Sequence, residues 1–290
     1  MSDSNEKYQL KDLLDVDQID DTHFLGHRLD HGKGRVFGGQ VLGQALMAAA
    51  KTVAVDRLVH SAHNYFIRPG DNALPIDYQV WLDLDGRSFS NRRVVATQNG
   101  KPILNLTASF QAPSSGLHHQ QGAPSVEGPE NLLNESQLIE KHKNDLPADI
   151  YSIVSQYRPI EVRPLKGEAH FLDAEPSQQQ ILWFKVKESL GDEVALHRSI
   201  LAFASDITLL STCLRPHGLT WTHREMTTAS IDHALWIHSS KFRVDQWLLY
   251  VMDSPWSANS RGLNRGSIYT REGELVASVA QEGLIRHSGS

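Results

Sequence analysis

The chain has 290 residues, of which 40% are hydrophobic and 21% charged, and its formal net charge at pH 7 is -6. This length allows one large or two medium domains with a substantial core, and the negative charge gives no sign of a nucleic-acid partner or of an anionic membrane surface. The single cysteine, Cys213, excludes an internal disulfide framework and a cysteine-rich zinc site.

The N-terminal segment argues against a secretory signal. The first 22 residues carry seven Asp or Glu against two Lys, whereas a signal peptide begins with a basic region before an apolar stretch. No uncharged apolar run reaches the ~18 residues of a membrane-spanning helix, and the terminal His-Ser-Gly-Ser is not a peroxisomal Ser-Lys-Leu signal. We therefore expect a cytoplasmic protein without a membrane span.

The first half of the chain predicts one long helix and a series of antiparallel strands. Leucines at helical spacing in "YQLKDLLDVDQID" predict a short amphipathic helix, and "HFLGHRL" predicts a strand. From Gly39, the Ala-rich segment "GQVLGQALMAAAKTV" has the apolar stripe of a buried helix. Strands follow in "LVHSAHNYFIRPG" and "PIDYQVWLDLDG", and the pair Asn99-Gly100 predicts the turn of a hairpin.

Residues 112–158 differ in composition from the segments on either side. They are rich in Gly, Pro, Ser and Gln and predict a linker, with one short helix in "ESQLIEKHKNDL". The second half then predicts strands in "PIEVRPL" and "ILWFKVK", a helix in "SILAFASDITLLSTCL", and further strands in "SIDHALWIH", "QWLLYVMD" and "LNRGSIYTREGELVASVAQEGLI". The helix-and-strand pattern of the first half is therefore repeated.

The repeat has a constant offset of 173 residues, which places Gly273 on Gly100 and His233 on His60. Two copies of a helix with an antiparallel meander predict an α+β fold in which each sheet wraps around its own helix. The predicted units are an N-terminal domain at 8–111, a linker at 112–158 and a C-terminal domain at 159–287. Joining the two halves as a pseudo-two-fold pair would leave clefts between the two helices.

Several common sites are absent from the sequence. The Gly-rich stretch "GKGRVFGGQVLG" matches neither phosphate-loop pattern, so its glycines are interpreted as a tight entry to the helix, where a backbone N–H is available as an oxyanion donor. No His-Glu-x-x-His spacing indicates a metal, and no Gly-x-Ser-x-Gly motif indicates a serine hydrolase. Cys213 is expected to be buried and inert. Asp232 and His233 are adjacent strand residues that face opposite ways, so they do not form a dyad.

Asp206 is the one formally charged residue of "SILAFASDITLLSTCL". On a helical wheel its neighbours three and four positions away are all apolar: Ala202, Phe203, Leu209 and Leu210. A buried carboxylate without partners costs several kcal/mol or loses its charge. Asp206 is therefore either a structural acid bonded by a loop or an arginine, or a functional one, and the periodicity alone leaves both open.

Six motifs in order carry a resemblance to a known family: "GRVFGGQ", "LVHSAHNYFIRPGD", "SFSNRRVVATQNGKPI", "TASFQAP", "ASIDHALWIH" and "VASVAQEG". Over about residues 8 to 286 the chain resembles the type II acyl-CoA thioesterases, the TesB-like group of bacterial thioesterase II. The resemblance implies a double hotdog fold and hydrolysis of fatty acyl-CoA to free acid and CoA, without a cofactor or a covalent intermediate. It also implies that Asp206, Ser230 and Gln281 are catalytic. Many relatives have Thr at the position of Ser230.

The chemistry of these residue types suits that reaction. A carboxylate held with a hydroxyl and an amide can position one water and remove its proton as the water attacks the thioester carbonyl. Apolar surroundings raise the pKa of such a carboxyl, whereas hydrogen bonds from the other two side chains oppose the rise. The first long helix has Gln40 and Gln44 but no acid, so only one of the two clefts is equipped with a carboxylate.

Two alternatives remain at this stage. One is a hotdog hydratase or dehydratase acting on enoyl-CoA, with His233 as the nearest histidine to the acid. The other is a non-catalytic acyl-CoA-binding module that has kept the fold. For the thioesterase we expect acyl-CoA as the partner molecule, no metal or cofactor, and a homo-oligomer, either a dimer or a tetramer.

Overall fold

Two apolar helices, α2 (Gly38–Ala50) and α5 (Val194–Ser205), lie against each other at the centre of the molecule. Glycines four residues apart let their backbones approach, because a Cβ on Gly39 would lie 2.6 Å from the carbonyl oxygen of Phe203, and one on Gly43 would lie 3.0 Å from that of Ser199. Gly39, at the start of α2, contacts Phe203, near the end of α5, whereas Gly43 contacts Ser199, which comes earlier in α5. The two helices are therefore antiparallel. The computed structural model describes residues 8–29, 34–165, 171 and 176–288.

Around these helices the described residues form one antiparallel sheet of thirteen strands. The strands are β1 Val16–Gln18, β2 His23–Gly26, β3 Leu58–Phe66, β4 Ile76–Asp85, β5 Phe89–Gln98, β6 Lys101–Gln111, β7 Ile160–Pro164, β8 Gln179–Val186, β9 Met226–Ser230, β10 Asp232–Ile237, β11 Leu248–Ala258, β12 Arg261–Thr270 and β13 Leu275–His287. Their order is β1-β2-β4-β5-β6-β3-β10-β13-β12-β11-β8-β7, and β9 adds to β13. The sheet therefore runs through all strands of the first half before it enters the second half.

The two halves meet at the pairing of β3 with β10, whose register places His233 opposite Asn64 and Trp236 opposite Ser61. Corresponding turns confirm the repeat read from the sequence, since Gly100 and Gly273 both have positive φ, 72° and 88°. Asn99 also has a positive φ of 49°, as the predicted Asn-Gly hairpin turn requires. The α+β double hotdog arrangement predicted above is the observed one, with one long helix for each half of the sheet.

The segment between the halves is more than a spacer. Residues 112–128 contain neither helix nor strand, yet they pack over the outer face of the second half, where the indole N–H of Trp183 donates to the carbonyl of Glu127 at 2.8 Å. The amide of Gln120 donates to the carbonyl of Gly273 at 2.7 Å and accepts from the N–H of Leu275 at 3.1 Å. The shorter helices are α1 Leu10–Leu14, α3 Glu135–Lys141 and α4 Ala148–Val154, with 3₁₀ turns at Pro129–Asn131 and Leu210–His217. The sequence predicted α1 and α3 but not α4.

The prediction of one helix from residue 199 to residue 214 is wrong at its centre. Helix α5 ends at Ser205, Asp206 is its C-terminal cap, and a separate 3₁₀ helix begins at Leu210. Hydroxyl side chains explain the break, because Ser205 Oγ donates to the carbonyl of Ala202 at 2.9 Å and Ser211 Oγ donates to that of Thr208 at 2.6 Å. Asp206 therefore lies at the end of the central helix rather than along its apolar stripe.

One helical segment of the described chain, Val194–His217, is long and apolar enough by composition to cross a membrane. Its most apolar window is 72% buried inside the protein. A core helix passes the same composition test, so this segment is only weak support for a membrane span. The Gly-rich stretch quoted above begins at residue 32, and its residues 32 and 33 lie outside the described residues.

Candidate active site

Asp206 lies at the wall of a cavity of about 790 Å³, where the end of α5 meets the beginning of α2. Its side chain is almost fully buried, and the N-terminal glycines of α2 are packed against it, since a Cβ on Gly38 would lie 3.0 Å from Asp206 Oδ2. The two glycines of the "FGGQ" motif are therefore needed for this close approach. Ser230, the last residue of β9, lines the same cavity.

Two donors contact the Asp206 carboxylate. Gln281 Nε2 donates to Oδ1 at 2.6 Å, and the backbone N–H of Gly39 forms a further hydrogen bond with the carboxylate. Burial raises the pKa of Asp206 to about 7, and the hydrogen bonds from Gln281 and Gly39 limit that rise. A carboxyl with a pKa near neutrality is a suitable general base at physiological pH.

Ser230 faces the same side of the sheet as Gln281 but is not bonded to it. The register pairs Ser230 with Gly283, two residues after Gln281 on β13, so both side chains project from one face. Among the described residues no hydrogen bond joins Ser230 to Asp206 or to Gln281. Asp206 and Gln281 are thus in direct contact, and Ser230 lies on the wall of the cavity beside them.

Gln281 is fully buried behind Asp206 and does not line the cavity. Its amide nitrogen has two partners, Asp206 Oδ1 and His233 Nδ1, the second at 3.1 Å. Its Oε1 atom is buried and has no hydrogen-bond partner in the described structure. An unpaired buried acceptor is costly, and the two contacts of the amide nitrogen offset part of that cost.

His233 is close to Asp206 but is not oriented as a base. Its Nδ1 lies 3.8 Å from Asp206 Oδ1, and its Nε2 lies 2.9 Å from Ser205 Oγ. Burial lowers the pKa of His233 to about 3, so the ring is neutral. Asp232 faces away from it and accepts the N–H of Glu282 at 2.7 Å, which confirms that these neighbours are not a dyad.

The sequence did not indicate Ser205 or Gly39 as members of this cluster. The Gly-Gly pair at the start of α2 was interpreted as a tight helix entry, and the structure adds that the helix start donates to an acid of the other half of the chain. Ser205 directly precedes the acid, and its contact with His233 depends on the pairing of β10 within the sheet. Only knowledge of the strand register would have revealed it.

The cavity has an apolar interior and a basic rim. Its interior is lined by aliphatic side chains from several elements: Leu13, Val41, Ile160, Val162, Leu210 and Leu214. Exposed guanidinium groups of Arg35 and Arg68 lie at the rim, on neighbouring loops that the hydrogen bond from Val36 N to the carbonyl of Gly70 joins. Such a cavity suits a long amphiphilic ligand with an apolar end and an anionic end.

The positions of the first half that correspond to Asp206 and Gln281 do not have the same side chains. The C-cap of α2 is Lys51, which is bound to Asp15 at 2.7 Å, and Ala108 stands at the position that corresponds to Gln281. The counterparts of Asp206 and Gln281 in the first half are therefore neither an acid nor an amide. Among residues that the structure describes, no group of three or more His, Cys, Asp or Glu is placed to hold a metal ion. Cys213 is buried, and burial raises the pKa of its thiol to about 11.

Comparison with known proteins gives consistent matches over both halves. Residues 153–284 match a family model described as acyl-CoA thioesterase, and residues 27–111 match one described as the acyl-CoA thioesterase N-terminal domain. The chain is 39% identical over 282 residues to acyl-coenzyme A thioesterase 8 of Homo sapiens, an alignment that covers 94% of this chain and 88% of that protein.

Solved structures give the same result for the fold. The acyl-CoA thioesterase II TesB2 of Mycobacterium marinum is 35% identical, with a TM-score of 0.78 over 97% of this chain and 100% of that one. A conserved protein of unknown function with a hot dog fold from Alicyclobacillus acidocaldarius has a TM-score of 0.76 over 97% of this chain and 99% of that one. Its identity is 16%, so this second likeness concerns the fold alone.

Proposed function

The chain belongs to the acyl-CoA thioesterase family and hydrolyses acyl-CoA, and on that premise we propose that Asp206 is its general base. The observation that carries the proposal is the buried carboxyl at the cavity wall, whose pKa of about 7 lies far above the ordinary value of 3.8. Gln281 holds this carboxylate by a direct hydrogen bond. Ser230, on the same wall, supplies a hydroxyl for the attacking water.

In this mechanism the Asp206 carboxylate removes a proton from a water molecule as the water oxygen attacks the thioester carbonyl carbon. The tetrahedral intermediate then collapses, the carbon–sulfur bond breaks, and CoA leaves as a thiolate. The proton held by Asp206 passes to the thiolate, which gives a free acid and CoA and restores the carboxylate. A thiolate is a good leaving group, so a positioned water is a sufficient nucleophile and no covalent acyl-enzyme is required.

The N-terminus of α2 is the proposed oxyanion site. Gly38 lines the cavity, and its backbone N–H has no acceptor among the residues that the structure describes, whereas the N–H of Gly39 is bonded to Asp206. A free N–H at a helix N-terminus favours negative charge. The carbonyl oxygen of the thioester would point to Gly38 as it becomes negative.

His233 distinguishes the thioesterase from the hydratase alternative. A hydratase of this fold needs a histidine in reach of the substrate, but His233 is 1% exposed, does not line the cavity and has both ring nitrogens engaged. The geometry therefore favours a single acid acting on water.

The proposal is tested by thiol release from a medium- or long-chain acyl-CoA, followed with a thiol reagent. We expect Ser230→Ala to lower kcat about tenfold and Gln281→Leu to lower it about 10- to 100-fold, since each removes one contact of the positioned water or its base. Ser230→Thr, which keeps the hydroxyl, is the matched control and is expected to stay within about threefold of the wild type. Unchanged rates in both Ser230→Ala and Gln281→Leu would contradict the proposed roles.

We further propose that the protein is a homo-oligomer. The support is an exposed aromatic surface at the seam between the halves, where Tyr65 of β3 and Trp236 of β10 are 59% and 38% exposed on the outer face. Apolar rings of this size on a sheet face are typical of a surface that a second copy covers. Light scattering after size-exclusion chromatography should give the molar mass of a dimer or a tetramer. The variant Trp236→Lys should shift that molar mass toward the monomer.

A cytoplasmic location is also proposed. The free, buried thiol of Cys213 is compatible with a reducing compartment, because the chain has no second cysteine with which to form an internal disulfide. Subcellular fractionation with an antibody against the protein tests this location, and recovery in a membrane or organelle fraction would contradict it.

A further inference from the structure

Beneath Asp206 four polar side chains form a row across four neighbouring strands: Asn64, His233, Gln281 and Asn264. None of them is more than 3% exposed. They lie on the face of the sheet that packs against the central helices, where apolar side chains would be expected. A row of amides and one imidazole at this depth needs defined hydrogen-bond directions, because an unmatched pair of donors or acceptors is costly there.

The contact with Ser205 determines which ring nitrogen of His233 carries the proton. The Ser205 hydroxyl has one proton, which it donates to the carbonyl of Ala202 at 2.9 Å. At its contact with His233 Nε2, also 2.9 Å, Ser205 Oγ must therefore accept, and His233 carries its proton on Nε2. The other ring nitrogen, Nδ1, is left as an acceptor.

The acceptor His233 Nδ1 determines the orientation of the Gln281 side-chain amide. The two N–H groups of Gln281 Nε2 point to Asp206 Oδ1 at 2.6 Å and to His233 Nδ1 at 3.1 Å. If the amide turned over, Gln281 Oε1 would face a carboxylate oxygen and a ring acceptor, both of which repel it. The neutral ring that burial imposes on His233 agrees with this arrangement.

We propose that His233 is a positioning residue that locks the amide orientation of Gln281, so that the N–H group of Gln281 stays directed at the Asp206 carboxylate. The inference rests on the proposed function of Asp206 and adds a residue that does not touch the substrate.

Two substitutions separate this role from a merely structural one. His233→Asn places a side-chain oxygen near the position of Nδ1 and so keeps an acceptor for Gln281, whereas His233→Gln reaches toward Ser205 but removes that acceptor. We expect kcat to fall about 10- to 100-fold in His233→Gln, with KM changed by less than about threefold, and to stay within about fivefold of the wild type in His233→Asn. Both are measured by thiol release, with thermal unfolding to verify that each variant is folded.

A larger loss of kcat in His233→Asn than in His233→Gln, or wild-type kcat in both variants, would contradict the proposed role of His233. Equal loss in two folded variants would also overturn it, because it would show that the whole imidazole rather than its Nδ1 acceptor is needed. Asp206→Asn is measured in parallel. If that variant keeps full activity, the proposed function fails, and this result is independent of how the two His233 variants rank.

A second inference comes from the rim of the cavity. Arg35 and Arg68 line it, both are exposed, and neither forms an ion pair among the residues that the structure describes. Arg68 Nη1 donates to the carbonyl of Pro102 at 2.8 Å, which directs this side chain without neutralising it. The third arginine of the lining, Arg158, is 3.8 Å from the carboxylate of Glu135 and is therefore compensated.

Two uncompensated guanidinium groups at the mouth of a cavity, in a chain with a net charge of -6, are placed for an anionic ligand. We infer that Arg35 and Arg68 bind the phosphate groups of CoA while the acyl chain occupies the apolar interior. Asp71 lies on the same loop, but its carboxylate accepts the N–H of Ala73 at 2.9 Å and does not line the cavity. This inference also rests on the proposed function, because it assumes that the thioester carbonyl is beside Asp206.

The test compares an acyl-CoA with the matching acyl-N-acetylcysteamine, a thioester that has no phosphate groups. We expect the double variant Arg35→Gln/Arg68→Gln to lose at least about tenfold in kcat/KM on the acyl-CoA, mainly through KM, and to be unchanged on the short thioester. Arg93→Gln, on the outer face of β5 over the Trp81 ring, is the matched control and should change neither value.

Equal losses on both thioesters, or no loss on the acyl-CoA, would overturn the phosphate site. The Asp206→Asn variant separates a failure of the phosphate site from a failure of the proposed function. Asp206→Asn is expected to lower the rate on both thioesters by the same factor, because both have the same reacting bond.

Discussion

Asp206 is a carboxyl whose surroundings favour its protonated form. Burial at the end of α5 raises its pKa from 3.8 to about 7, and the two donors that contact it, Gln281 and Gly39, do not cancel that effect. The same burial that makes the carboxylate a stronger base makes the ionised protein less stable, as is common at functional sites.

Asp206→Asn is therefore expected to stabilise the fold at pH 8. A carboxyl whose folded pKa is raised contributes stability below its unfolded pKa of about 4, and this contribution is lost as pH rises through about 7. The free energy of unfolding of Asp206→Asn should exceed that of the wild type by up to about 4 kcal/mol at pH 8, and the difference should shrink toward pH 4. Urea unfolding at the two pH values measures it.

Asp245→Asn is the control of opposite sign. The paired Arg243 guanidinium holds the pKa of Asp245 below its usual range, although burial acts against this. The variant should be less stable than the wild type at pH 8 and closer to it at pH 3. If the free energy of unfolding changes by the same amount between pH 4 and pH 8 in the wild type and in Asp206→Asn, that result contradicts the raised pKa of Asp206.

At the scale of elements, the contact between α2 and α5 places the N-terminus of α2, from the first half, against Asp206, from the second half. Gly39 and Gly43 allow the carbonyls of Phe203 and Ser199 to lie directly on α2. The approach brings the N–H of Gly39 to Asp206 and places Gly38 at the wall of the cavity. Helix packing and site geometry therefore share Gly39.

Gly39→Ala should destabilise the fold and lower activity together. The added Cβ would lie 2.5 Å from the ring of Phe37 and 2.6 Å from the carbonyl oxygen of Phe203, so the helices must separate. We expect a loss of about 1–3 kcal/mol in the free energy of unfolding, by urea titration, and at least tenfold in kcat. Gly116→Ala, whose Cβ would meet no atom within 4 Å, is the control and should change neither.

The elements differ in how far the sequence could predict them. Helix α2, the hairpin at Asn99-Gly100 and the repeat are fixed by local periodicity and turn chemistry, and the structure confirms them. The end of α5 at Ser205 was not predictable from hydrophobicity, because the hydroxyl groups of Ser205 and Ser211 bind backbone carbonyls three residues before them. The contact of Gln281 with His233 depends on how β10 pairs with β13, which is a matter of register between distant segments.

At the scale of the molecule, two similar halves carry one site. The pseudo-equivalent cleft has Lys51 at the helix cap and Ala108 in place of the amide, and its lysine is bound to Asp15. Both halves have the helix and the sheet, but the acid and the amide that holds it occur at corresponding positions only in the second half. The helix start that completes the site comes from the first half.

One non-hydrolysable acyl-CoA thioether should therefore bind per chain. Isothermal titration calorimetry with such an analogue is expected to give a stoichiometry of one, and Asp206→Asn, which keeps the cavity, should give the same value. A stoichiometry of two would show that the cleft beside the start of α5 also binds the substrate.

The proposed catalysis depends on Asp206 as the base that activates water. The most direct measurement is the pH dependence of kcat/KM for thiol release from acyl-CoA, in the wild type and in Asp206→Asn. The wild-type value should rise about tenfold per pH unit below pH 7 and level off above it, because only the ionised carboxyl accepts the proton. Asp206→Asn should be at least ~100-fold slower with that inflection absent. A variant that keeps the wild-type rate and the same inflection near pH 7 would contradict the account.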